Sequence, residues 1–94
     1  MLKDEEREYL IKYAQAAHKK ALEAAYGLGK CLVLIKEHEP REVFIEILGR
    51  DLGLTEIDGE AICKNMRLEE HEAAVNIAKI MFKSALRLME GTDD

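Results

Sequence analysis

Residues 10–35 read LIKYAQAAHKKALEAAYGLGKCLVLI. Within that run Leu10, Ala14, Ala17, Ala21, Ala24, Leu28, Cys31 and Ile35 recur at alternating spacings of four and three. This is the period of one helix face, sustained over nearly four heptads. Ile11, His18, Ala25 and Leu32 repeat every seven residues beside it and widen the apolar stripe. The pattern predicts one long helix over about residues 3–38. Asp4, Glu5, Glu6 and Glu8 fall in its opening turns, where the helix dipole favours negative charge. Small side chains fill the middle of the seam, so another helix is expected to approach closely there. Gly27 and Gly29 each cost about 1 kcal/mol relative to alanine and mark a bend or a very close helix contact.

Working outward, Pro40 cannot continue this helix and suits the first turn of the next. That second helix is expected over about residues 40–52, presenting Val43, Phe44, Ile47, Leu48 and Leu52, with Gly53 as a left-handed stop. Thr55 followed by Asp58 has the form of a capping box with aspartate in place of glutamate. A short third helix is expected over about 56–66, showing Ile57, Ala61, Ile62 and Met66 and weakened by Gly59. The last helix, about 69–90, opens on Glu69, Glu70 and Glu72 and carries Lys79, Lys83 and Arg87 later, so both ends complement its dipole. Asn76, Lys79, Lys83, Arg87 and Glu90 form its narrow polar stripe, and most of the remaining circumference is apolar. Such a helix calls for burial on several sides. The fold class is therefore all-α: a long first helix, two short helices with helix-turn-helix topology, and a long last helix. The two long helices are expected to pack antiparallel along the alanine-rich seam. Residues 1–90 make one domain, and 91–94 a short acidic tail.

The composition agrees with a folded helical chain. It is 48% hydrophobic and 35% charged, richer in apolar residues than disordered chains are. The formal charge of −5 counts against a free-standing nucleic-acid binder, whose affinity comes largely from neutralising phosphates. The longest apolar stretch, residues 31–35, is far too short to span a bilayer. The opening residues lack the basic and apolar regions of a secretion signal, so a cytoplasmic location is the default expectation. Cys31 and Cys63, with no close partner motif, read as reduced, buried thiols.

Residues 44–66 hold the most informative pattern. Leu48, Gly49, Leu52, Gly53, Leu54 and Ile62 occupy the apolar and small positions of a helix-turn-helix. Together with Gly29-Lys30, Lys36-Glu37, Pro40, Phe44, Leu52-Gly53-Leu54-Thr55 and residues 65–70 (NMRLEE), about 45 of the 94 residues resemble an uncharacterised family of small helical phage and mobile-element proteins. More distantly, they resemble the helix-turn-helix of ParB-type partition proteins. The resemblance implies that topology and, in DNA-reading relatives, basic or polar residues after the threonine. Here Glu56, Ile57, Asp58, Gly59 and Glu60 follow it, and three carboxylates facing phosphates would repel them.

Ala17-His18, Ala24-Ala25 and Gly27 resemble the phosphotransfer domains of two-component signalling. That family places lysine three residues after its histidine and glycine at the fourth, where this chain has Ala21 and Leu22, with Lys20 one position early. His18 therefore reads as a seam histidine. His18, His38, His71, Cys31 and Cys63 show none of the short spacings that arrange a metal site, and residues 51–60 lack the calcium-loop pattern. No nucleophile motif, phosphate loop or pair of catalytic acids is present, so neither catalysis nor a cofactor is expected. Lys79, Lys83 and Arg87 form a possible anion stripe, either solvated or facing an acidic partner such as the Glu-rich start of another chain's first helix.

The function expected is a non-enzymatic helical interaction module, a regulator, adaptor or inhibitor acting as a homodimer or larger homo-oligomer and binding a further protein. A helix-turn-helix DNA-binding regulator is the alternative, and a histidine phosphotransfer-like domain a remote one. The contacts to self or partner are expected at Ala17, Ala21, Ala24, Leu28, Ile80, Phe82, Leu86 and Met89.

Overall fold

The computed structural model describes residues 1–90, so the acidic tail lies outside the described residues. Among these, four helices and no strand form: α1 (Asp4–His38), α2 (Arg41–Leu52), α3 (Glu56–Asn65) and α4 (Glu70–Glu90). The helix stops and starts follow the local chemistry that the sequence announces. Pro40, at φ −60° and extended ψ, stands just before α2. Gly53 ends that helix at φ +66°, turning the chain so that its own N–H and that of Leu54 both donate to the Leu48 carbonyl. Two residues later Thr55 starts α3. The Asp58 N–H donates to Thr55 Oγ1 at 3.1 Å and the Thr55 N–H to the Asp58 carboxylate at 3.4 Å. The reciprocal cap takes up two amides that a helix start leaves orphaned.

The short helix α3 is the hub, touching α1, α2 and α4. Its Ile62 and Cys63 pack with Phe44 and Leu48 from α2, Leu54 from the turn, Ala25 and Leu32 from α1 and Ile77 from α4. Two glycines set the helix spacing. A side chain at Gly59 would run into Leu48, and one at Gly29 into Met66 and into Ile77 Cδ1, 2.9 Å from the ideal Cβ position. Gly59 is thus the reason α2 and α3 meet so closely, and not a weak point of α3. Gly27 has open space around it, and α1 runs through both glycines without a break. Polar groups inside the fold are paired. Buried Ser84 donates from Oγ to the Gly53 carbonyl at 3.2 Å. Asn76, placed on the solvated stripe of α4 by the sequence pattern, instead donates to Asn65 Oδ1 at 2.9 Å, and Asn65 to the Ala61 carbonyl at 2.8 Å.

The face by which α1 packs differs from the expected one. Its buried residues are Ala25 and Leu32, from the secondary column of the pattern, and Gly29, whereas Ala17, Ala21 and Ala24 are exposed. Cys31 is exposed as well, and only Cys63 is a buried thiol. The cause lies in where α4 is tied. Ser84 holds it to the Gly53 turn and Arg87 binds Asp58 of α3, so its later turns lean toward the α2–α3 corner. The buried and half-buried residues of α1 begin at Leu22. Every residue from 4 to 21 is exposed, a bare helical arm about 27 Å long at 1.5 Å per residue. The Cα radius of gyration is 16.5 Å, against about 12 Å for a compact chain of this length.

Candidate interaction surface

The arm is unusual in what it exposes. Tyr9, Leu10, Ile11 and Tyr13 are all about half or more accessible, Tyr9 and Tyr13 with stacked rings 6.5 Å apart, and Ala14, Ala17 and Ala21 continue the apolar track toward the body. Apolar side chains of this size on an isolated helix gain nothing from the chain's own core. Where the arm meets the body, His18 and Leu22 share a groove with Val75, Ala78, Lys79, Phe82 and Lys83. Phe82 is 66% exposed at its rim. A second apolar area, at the end of α4, exposes Leu86, Leu88 and Met89.

The expected contact residues fall into two groups. Ala17, Ala21, Ala24, Phe82, Leu86 and Met89 are exposed, but Leu28 and Ile80 are half-buried against the core, so they belong to the fold more than to an outer surface. His18 of the arm and Phe82 of α4 line one groove.

Charge separates cleanly along the arm. Asp4, Glu5, Glu6 and Glu8, with Arg7 paired to Asp4 at 3.7 Å, occupy its start, and Lys12, Lys19 and Lys20 its remainder. Among the described residues neither Glu5, Glu6 and Glu8 nor Lys12, Lys19, Lys20, Lys79 and Lys83 has a partner of opposite charge. The anion stripe is shorter than expected, since Arg87 is held by Asp58 and only Lys79 and Lys83 remain, both beside the groove.

The three carboxylates of α3 have a role that sequence pattern alone did not reveal. Each binds a base on a different helix: Glu60 to Lys36 of α1 at 2.6 Å, Glu56 to Arg41 of α2, and Asp58 to Arg87 of α4. Glu60 also lies 3.8 Å from Arg41. They point to the chain's own bases, not outward as an acidic face. Burial pushes the Asp58 carboxyl up, but hydrogen bonds from Arg87 and Thr55 and the Arg87 charge outweigh it and hold the carboxyl below its ordinary value. The Lys36 hydrogen bond does the same for Glu60. The same pairs engage Lys36, Arg41 and Arg87, while Lys64, on α3 itself, makes no ion pair among the described residues.

His18 is exposed on α1 with Ala21 and Leu22 following it, and His38 and His71 lie on other parts of the surface. Among the described residues no three His, Cys, Asp or Glu side chains gather as a metal-holding group, and no helix is long and apolar enough to cross a membrane. Comparisons with protein-family models, curated proteins and solved structures find no match.

Proposed function

We propose that this chain is a non-enzymatic interaction module that works as a homo-oligomer, its body serving to hold out a helical arm for pairing. The observation that carries the reading is the bare arm of residues 4–21, apolar along one side and exposed throughout among the described residues. Surface area supports it. The chain exposes 7271 Å², whereas a folded monomer of its mass is expected to expose about 5,500 Å². The surplus is roughly twice the ~800 Å² that each partner contributes to a standard protein interface. A second copy is the simplest cover, because most soluble oligomers are symmetric assemblies of one chain.

Light scattering after size exclusion tests the reading. The expected result is a mass of twice the 10.7 kDa chain, or a higher multiple, at micromolar concentration and falling on dilution. A mass of 10.7 kDa at every concentration overturns it.

A further inference from the structure

We infer that the arms of two copies pair antiparallel, the acidic start of each α1 lying along the basic base of the other. The inference rests on the homo-oligomer reading and adds its geometry. Its first support is the charge order. A parallel pair would set Asp4, Glu5, Glu6 and Glu8 beside their own copies and Lys12, Lys19 and Lys20 beside theirs. An antiparallel pair sets the acids at 4–6 beside the partner's residues 18–20, which include Lys19 and Lys20, with Lys12 at the centre beside its own copy, and like-charge juxtaposition is what disfavours a wrong register.

The second support is that one register satisfies core and flanks together. With Leu10, Ala14, Ala17 and Ala21 as the seam, placing Leu10 opposite the partner's Ala14 also places Arg7 opposite the partner's Ala17. Alanine layers let the axes approach to the short end of the 8–10 Å range, and the long Arg7 stem covers its alanine while its head stays in water. On one flank Glu6 then meets the partner's Lys20, with Tyr13 against the partner's Tyr13. On the other flank Asp4 meets the partner's His18, with Ile11 against the partner's Ile11. Every large apolar residue of the arm except Tyr9, which stacks on Tyr13, finds an apolar neighbour.

The third support is the body. In this register Leu2 of one copy reaches the level of the partner's Leu22, at the groove lined by Val75 and Ala78 with Phe82 at its rim. Asp4 of that copy comes beside the partner's Lys79 and Lys83, the bases of α4 that the fold leaves unpaired. The exposed Phe82, the free lysines and the bare arm then have one common explanation.

Charge exchange tests the arrangement, because the side chains at positions 6 and 20 are exposed and make no hydrogen bond or ion pair among the described residues. Sedimentation of Glu6→Lys and of Lys20→Glu should show self-association weakened about tenfold each, since a symmetric dimer turns two attractive pairs repulsive. An equimolar mixture of the two variants should associate about as well as the unaltered chain, because in the mixed dimer both pairs are again opposite in charge. Circular dichroism of each variant at low concentration checks that the body is intact. If the unaltered chain associates but neither variant weakens it, or the mixture fails to recover, the antiparallel arm is wrong and the homo-oligomer reading stands. A monomeric unaltered chain overturns both.

Discussion

At the scale of single residues, two positions carry more than their size suggests. Gly59 is buried where α3 crosses Leu48, and a Cβ there cannot be accommodated without moving Leu48, itself fully buried at the centre of the core. Overpacking of that kind costs about 1–3 kcal/mol. Gly59→Ala should therefore lower the melting temperature by several degrees, although alanine is the better helix former, whereas Gly27→Ala, with open space around it, should raise it slightly. Thermal unfolding followed by circular dichroism compares the two, and equal shifts would mean the α2–α3 contact is looser than described. Asp58 closes the cap of α3 and binds Arg87. Its carboxyl is held below 3.8 in the fold, so the folded state favours the ionised form. That stability is fully present above the unfolded value and is lost as pH falls from about 4 through the lower folded value. Asp58→Asn should cost about 1 kcal/mol at neutral pH and much less at pH 3, a convergence that denaturant titrations at the two pH values would reveal. A constant difference across that range would show that the carboxylate's charge is not what the cap and Arg87 use.

At the scale of elements, the sequence was legible wherever local chemistry decides. Pro40, Gly53 and the Thr55–Asp58 pair mark the helix ends because the φ limit of proline, the left-handed turn and the capping hydrogen bonds are properties of a few adjacent residues. What was not legible is which stripe of α1 the body takes. Leu10, Ala17 and Ala24 have the stronger period, yet Ala25, Gly29 and Leu32 are the buried set. A periodic stripe records that a face is to be covered, not by which chain. The fold uses the column beside the seam and leaves the seam outside from Leu10 to Ala24, taking up only Leu28 and Ile35 at the edge of the core. Larger side chains at Ala21 should accordingly disturb pairing between copies more than the fold of one chain, contrary to what the pattern alone implies. The carboxylates of α3 carry the same lesson. Glu56, Asp58 and Glu60 look like an acidic outer face in sequence, because their partners Arg41, Arg87 and Lys36 are 15, 29 and 24 residues away. Only the arrival of three helices around α3 makes them a clamp. A local pattern contains no trace of such distant pairings, so the candidate surface could be read from the seam but not bounded.

At the scale of the whole molecule, the structure divides into a body that makes the core and an arm that contributes nothing to it. Among the described residues every buried one lies between Ala25 and Ser84, and α1 becomes half-buried only from Leu22 onward. The helical arm is exposed around its full circumference, and a helix of that length standing alone in water is marginal even in favourable sequences. Its stability must come from continuity with the packed half of α1 and, in the arrangement inferred above, from a second arm. Removing residues 1–17 should then separate the two roles. The shortened chain keeps the whole core and all the ion pairs of α3, so it should remain helical and unfold in one cooperative transition. Its mass in solution should be that of one shortened chain at concentrations where the full chain associates. Its melting temperature should no longer depend on protein concentration, because association is what couples the two. Persistence of the oligomer after the arm is gone would place the contact at Leu86 and Leu88 on α4 instead, and loss of cooperative unfolding would show that the arm contributes to the fold of a single chain after all.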